Sequence, residues 1–389
     1  MPAPGTSSQR SLWLVVAAVA LVVAVAAGWW VARTPRTPTA LAATTAVPEA
    51  TSPAPSPGPA RPEPKLGAQA TMSSAVVQAM VAGNAAVSRG TPADLAEART
   101  AFEQAIKLDE RYAPAHAGLT LALVRIADAG TERPGAVLPK AIEHGDLAVE
   151  LDPASALGWY ALARAEVLWT RDWSRAESHY RRAIALDPET PAPVYYLAEL
   201  LAARGRTTEA RDVQAKAVVM DGLTPAERLS EAKVQYLIAD YEAARDRLAQ
   251  ALLEGVAEAA VTPWLVRSQV ALGAMDAAVA AAQKADAASG RSSWPLGYAL
   301  ARAGRRTDAE RVLAAMGEVA KKTYVPALDF ACVWAALDNR DQALSFVETA
   351  VREHSPGSEL LPADPIFADL RDEPRFRAAL AEAKLGTGR

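Results

Sequence analysis

Apolar positions recur along most of this chain at the spacing of an amphipathic helix, and each run breaks at a proline, glycine or aspartate before the next begins. The stretch ALDPETPAPVYYLAELLAARGR, residues 185–206, shows one such seam. A helical run stops at Asp187-Pro188, passes Pro191 and Pro193, and restarts at once. Proline cannot continue a helix, because it lacks an N–H and crowds the preceding turn, yet it fits the first turn of the next one. The pattern therefore predicts a stack of helical hairpins.

The hairpins repeat. The stretches AFEQAIKLDE, GDLAVELDP and HYRRAIALDP end at Glu110, Pro153 and Pro188, and equivalent positions fall on Gly222, Val256 and Gly290. After one longer interval the spacing settles at 34 or 35 residues. A small residue recurs in each second helix at Ala98, Ala141, Ala176, Ala210, Ala244, Ala278, Ala309 and Ala343. Seven residues further stand Ala105, Ala148, Ala183, Ala217, Ala251, Ala285, Met316 and Ala350. That offset puts both columns on one helix face, where their size admits a close neighbour. Phe102, Tyr180 and Leu248 lie between them as space-fillers. Thr224-x-x-Glu227, Ser174-x-x-Glu177 and Thr307-x-x-Glu310 read as capping boxes, and Gly205 and Gly304 as reversals between paired helices.

With the matching first-helix pattern Trp159-x-x-Leu162-Ala163 and Val194-x-x-Leu197-Ala198, these residues resemble the tetratricopeptide repeat (TPR). The resemblance implies an all-α solenoid of about eight hairpins over residues 71–354, with a capping segment at 355–389. It also implies a concave groove lined by the first helix of each pair. Carried over residue by residue, the groove positions hold Tyr160, Arg164, Tyr195, Glu199, Arg267, Trp294 and Tyr298. Aromatic and arginine side chains are common anchors for a protein or peptide partner. The opposing reading is that they pack against the adjacent helix. The Asn and Lys set with which some TPR proteins clamp a free C-terminal carboxylate is not visible in this sequence.

A second resemblance covers the C-terminal segment. Tyr324-Val325 and the stretch from Asp364 to Phe376 look like the end of the TPR regions of bacterial membrane-anchored regulators, and Trp173 before a second helix matches the same group. In that group the repeats follow a winged-helix, cyclase or kinase domain. Here only about ten residues precede the first long apolar run, so any output is expected to come from a partner.

That run, Leu12 to Val31, holds no charge. At 1.5 Å rise per residue it reaches about 30 Å, the hydrocarbon thickness of a bilayer. Trp29 and Trp30 suit the interface. Residues 12–32 are read as a transmembrane signal anchor behind a stub at 1–11, and 33–70 as a Pro/Ala/Thr-rich disordered linker. The competing reading is a signal peptide cut near Ala24-Val25-Ala26; the nearly uncharged start and the apolar run continuing past that site favour the anchor. Arg10 on one side and Arg33 and Arg36 on the other leave the positive-inside rule silent. By analogy with single-pass bacterial proteins, the repeats are expected on the extracytoplasmic, periplasmic side.

Composition narrows the chemistry. The chain has 389 residues, 51% hydrophobic, and a net charge of −4, so a nucleic-acid partner is not expected. The first 66 residues are net +3, which leaves −7 on the rest and slightly favours a basic or neutral ligand. Cys332, the only cysteine, sits in an apolar stretch and reads as buried; His116 reads as packing and His144, His179 and His354 as surface residues. No HExxH, CxxC, phosphate-cradling glycine loop or GxSxG occurs, so no enzyme, cofactor or metal is expected. The leading reading is a membrane-tethered scaffold that binds a protein or peptide in its groove. The alternatives are a sensor acting on a separately encoded effector and an assembly chaperone for unfolded clients.

Overall fold

The computed structural model describes residues 73–217 and 223–386. The expected stub, membrane anchor and linker, and the cap beyond Gly386, lie outside the described residues. Among the described residues no helix is long and apolar enough to cross a membrane.

The first two hairpins pair α1 (Ser74–Arg89) with α2 (Pro92–Leu108) and α3 (Ala113–Asp128) with α4 (Pro134–Leu151). The next two pair α5 (Ala156–Leu168) with α6 (Trp173–Leu186) and α7 (Pro191–Ala203) with α8 (Thr207–Ala217). The fifth and sixth pair α9 (Pro225–Leu237) with α10 (Tyr241–Leu253) and α11 (Glu258–Ala271) with α12 (Met275–Ser289). The last two pair α13 (Trp294–Arg302) with α14 (Arg306–Ala320) and α15 (Ala327–Ala336) with α16 (Arg340–Glu353). Two 3₁₀ turns, Ser358–Leu360 and Pro365–Leu370, and a short helix α17 (Pro374–Glu382) complete the described residues.

The predicted seams form as their residues dictate. At Asp109, Asp152 and Asp187 the backbone N–H closes the last helical turn by donating to the carbonyls of Ala105, Ala148 and Ala183, at 2.9 to 3.1 Å. Each carboxylate then accepts from the backbone two residues on, at Arg111, Ala154 and Glu189. One aspartate thus ends a helix and begins the turn. Pro191 stands in the first turn of α7, the place where its missing N–H costs nothing.

The alanine columns are the seams' packing surface. Every member of the first column is fully buried, and in the second column only Ala285 is not. The tightest contact is in the first repeats, where the Phe102 ring lies between Gly83 of α1 and Gly118 of α3. A Cβ at Gly118 would stand 2.5 Å from the ring, so glycine is required there for α3 to approach.

Reversals between paired helices use left-handed backbone at Gly205 and Gly304, both at φ 75°, as expected. The same corner is occupied by Arg171, Ala239 and Asp338, which lack glycine's freedom. The capping box at Thr224 and Glu227 forms, with the Thr224 N–H donating to Glu227 at 2.6 Å. The other two expected boxes do not. Asp172 caps α6 by accepting from Arg175 N–H at 3.1 Å, ahead of Ser174. α14 starts at Arg306 without a side-chain cap, which leaves Thr307 inside its first turn and Glu310 paired with Arg306. A box that the pattern did not suggest forms between Thr91 and Asp94.

Candidate functional site: the inner groove

The first helices of successive hairpins present one register to the inside of the array. Arg164, Glu199, Lys233 and Arg267 follow one another at 34 or 35 residues on α5, α7, α9 and α11. The Arg164 guanidinium pairs with Asp128 at 2.6 Å and lies 4.1 Å over the Tyr196 ring. Glu199 accepts from Ser230 at 2.7 Å and faces the Lys233 ammonium at 3.5 Å. Lys233 lies over Trp264, and Arg267 stands 4.5 Å from the ring centres of both Trp264 and Trp294. Four charges and their aromatic neighbours make a continuous ladder. Burial works against the Arg164 charge, but Asp128 and the surrounding tyrosines and Glu199 more than offset it and hold its pKa above the ordinary arginine value.

The fold decides what these side chains belong to. Among the described residues, eight antiparallel hairpins, most of them 34 or 35 residues apart, pack through small residues on their second helices and turn their first helices inward. The array is a tetratricopeptide-repeat solenoid. No protein-family model and no curated protein matches the chain. Among solved structures, it is similar to a thermophilic TPR protein from Thermus thermophilus, at 19% identity over 51% of this chain and 98% of that one, with a TM-score of 0.41. PilF of Pseudomonas aeruginosa matches at 18% identity over 55% and 91%, with a TM-score of 0.38. A TPR protein from Parabacteroides merdae matches at 11% identity over 80% and 100%, with a TM-score of 0.36. These scores stand below 0.5, and the assignment of fold rests on the chain's own repeat geometry.

The TPR groove is not bare. Residues 355–364 of the same chain run through it, and Ser355, Ser358, Glu359, Leu360, Leu361, Pro362 and Asp364 are all buried. Asp364 is the hub: its carboxylate accepts from the Tyr236 hydroxyl at 3.1 Å and from its own Ile366 N–H at 3.0 Å, and it pairs with Arg267 at 3.3 Å. Arg171, in the turn of the third hairpin, donates to the Ser358 hydroxyl at 3.0 Å and to the Val351 carbonyl at 3.2 Å. Leu360 joins the apolar core of the N-terminal repeats and Leu361 that of the C-terminal ones, so the segment ties the two together.

Seven residues were singled out from the sequence for this groove, and the structure sorts them. Arg164, Glu199, Arg267, Trp294 and Tyr298 are at least nine-tenths buried on its inner wall, and the Tyr160 ring lies tilted against Tyr196 with centroids 5.7 Å apart. Tyr195 is placed elsewhere, in a small cluster with Val194, Val213 and Ala217 between helices of its own hairpin. Tyr196 is the tyrosine beside Arg164. The residues not foreseen, Lys233, Trp264 and Tyr196, sit on the same 34-residue columns as the ones that were, and a full column reading finds them. Asp364 and Arg171 carry no periodic signal.

The histidines also differ from expectation. His116 is buried, as read, but His144, His179 and His354 are half-buried with specific partners. His116 Nε2–H donates to the Glu110 carbonyl at 3.0 Å, which leaves its Nδ1 to accept from His144 Nδ1–H at 3.0 Å. His179 bonds Glu166 at 2.9 Å, and His354 donates to the Leu168 carbonyl at 3.0 Å with its ring over Trp169. Among the described residues no three His, Cys, Asp or Glu side chains are grouped to hold a metal ion. Cys332 is buried, and burial pushes its thiol well above the ordinary range.

Proposed function

We propose that this chain is a membrane-tethered TPR scaffold, without catalytic activity, that binds an extended segment of a protein partner in its inner groove. The observation that carries this reading is the ladder Arg164, Glu199, Lys233, Arg267, together with the aromatic side chains that flank it. It sets charged groups between flat aromatic rings along one line, the form of surface that recognises an extended peptide. The mild negative charge of the repeats points to a basic or neutral ligand, but the groove itself seats a carboxylate between Arg267 and Tyr236. Local donors outweigh net charge there. The uncharged run at residues 12–32 supports the tether, and the analogy with single-pass proteins the extracytoplasmic placement.

The test is photocrosslinking in cells from a probe at Tyr196 in the full chain, with a probe at exposed Arg211 as control. A discrete adduct with a second protein from Tyr196 alone is expected, and the compartment of that protein reports the side of the membrane. No adduct with a second protein from Tyr196, or equal adducts from both sites, overturns the groove reading.

A further inference from the structure

The segment that fills the groove fits it well in three places and poorly at Glu359. Asp364 satisfies Tyr236 and Arg267, Ser358 satisfies one nitrogen of Arg171, and Leu360 and Leu361 are buried in the two halves of the core. By contrast, Glu359 is nine-tenths buried with Asp128 and Glu199 nearby, opposed by Lys233 and by Arg171. Two like charges press on it from α3 and α7. The Nε atoms of Arg171 and Arg267 are also buried without a hydrogen-bond partner, although each guanidinium is at least nine-tenths enclosed. Unmet buried atoms also occur between the repeats, at Tyr180, Tyr195 and Gln269, so the enclosed Glu359 carboxylate is what marks the poor fit; a tethered occupant tolerates such a defect because its local concentration is high.

We infer that residues 355–364 are a displaceable self-ligand of the groove. The partner that replaces them is an extended Leu-Leu-Pro-type segment, with a carboxylate in the place of Asp364 and an uncharged polar side chain in the place of Glu359. The inference rests on the groove-binding reading above and adds to it the chemistry of the partner and the reason the groove is closed in its absence. The carboxylate is specified by Tyr236 and Arg267, the two leucines by the core halves they enter, and the uncharged residue by Asp128 and Glu199.

The probe is a labelled synthetic peptide of residues 355–366 carrying Glu359→Gln, titrated against the full chain in detergent and followed by fluorescence anisotropy. Asp364→Asn in the chain weakens the tethered competitor, and the peptide, which keeps its own aspartate, is expected to bind about ten-fold more tightly than to the unaltered chain. Glu359→Gln in the chain improves the tethered segment and is expected to weaken peptide binding several-fold. Arg267→Met removes the partner of both aspartates and is expected to bind least. Equal affinities for all folded chains, or saturable binding to none, overturn the inference and make residues 355–364 a fixed part of the fold. If Asp364→Asn fails to fold, the comparison of Glu359→Gln with the unaltered chain decides the matter alone. Crosslinking from Tyr196 separates the two readings. An adduct that persists in saturating peptide overturns the competition and leaves the scaffold standing, whereas the absence of any adduct removes the scaffold itself.

Discussion

The indole N–H of Trp173 donates to the Lys384 carbonyl at 2.7 Å, so the third hairpin and the end of the capping helix meet across more than half of the chain. Around this contact the C-terminal segment lies against the turns of the preceding hairpins. Arg204 stands 5.1 Å over the Trp173 ring and bonds the Gly386 carbonyl, His354 reaches Leu168, and Arg133 stands 5.2 Å over Tyr324. The TPR array curls back on itself.

Trp173→Phe keeps an aromatic ring beneath Arg204 but deletes the hydrogen bond, together with part of the indole's packing. The expected loss is about 1 kcal/mol of stability. Hydrogen exchange is expected to quicken at Phe376–Leu385 before it does at α1 and α2. Uniform change across the chain, or none, counts against the closing contact.

Gly118→Ala tests the closest approach in the array. The added methyl meets the Phe102 ring, which is itself held by Gly83 on its other side, so neither side can yield cheaply. Destabilisation of roughly 1–3 kcal/mol is expected from overpacking, read as a lower midpoint in a denaturant titration.

Ala239→Gly is expected to do the opposite. Ala239 is exposed and holds φ 65° in the turn between α9 and α10, the corner that Gly205 and Gly273 occupy in the neighbouring hairpins. Relief of that backbone strain outweighs the added freedom of the unfolded chain, and a gain of about 0.5–1 kcal/mol is expected. A loss of stability would show that the turn is not strained.

The hairpin count, the aspartate seams and the alanine columns were legible in the sequence because each is a local feature repeated at a fixed interval. A column that recurs in every hairpin survives the weakness of any single match. Tyr195 and Tyr196 show where that stops. One residue is about 100° of rotation on an α-helix, so an alignment error of a single position moves a tyrosine from the groove to the interior of its own hairpin. The caps expected at Ser174 and Thr307 failed because each helix begins earlier, at Trp173 and at Arg306. The groove's occupant was not legible at all. The bond from Tyr236 to Asp364 spans 128 residues, and nothing periodic announces it.

Acidity provides the last test. Burial, with Asp128 and Glu199 beside it, pushes the Glu359 carboxyl up to about 7 from an ordinary value of 4.5. Its folded pKa is raised, so the folded state takes up more protons than the unfolded one between those values. The associated stability is complete below about pH 4.5 and is lost as pH rises through 7. A loss of up to about 3 kcal/mol follows from the size of the shift. The chain with Glu359→Gln is expected to match the unaltered chain near pH 4.5 and to melt higher at pH 8. Asp329, beside Arg267 and Glu353, is also pushed up to about 7 by burial, so the variant retains a smaller slope of its own. Identical profiles for the two chains would show that Glu359 does not titrate in place.

The position of the groove's occupant also bears on synthesis. An open solenoid adds one hairpin to the last as it leaves the ribosome, each finished when its neighbour docks. In this chain the inner faces of α5 to α11 acquire their cover only when residues 355–364 emerge, about a hundred residues after Arg267. At ~5–20 residues per second that wait is on the order of ten seconds. For that time Trp264, Trp294 and their neighbours face whatever the cell supplies, and a ribosome that stalls before Ser355 releases a product whose inner wall stays uncovered.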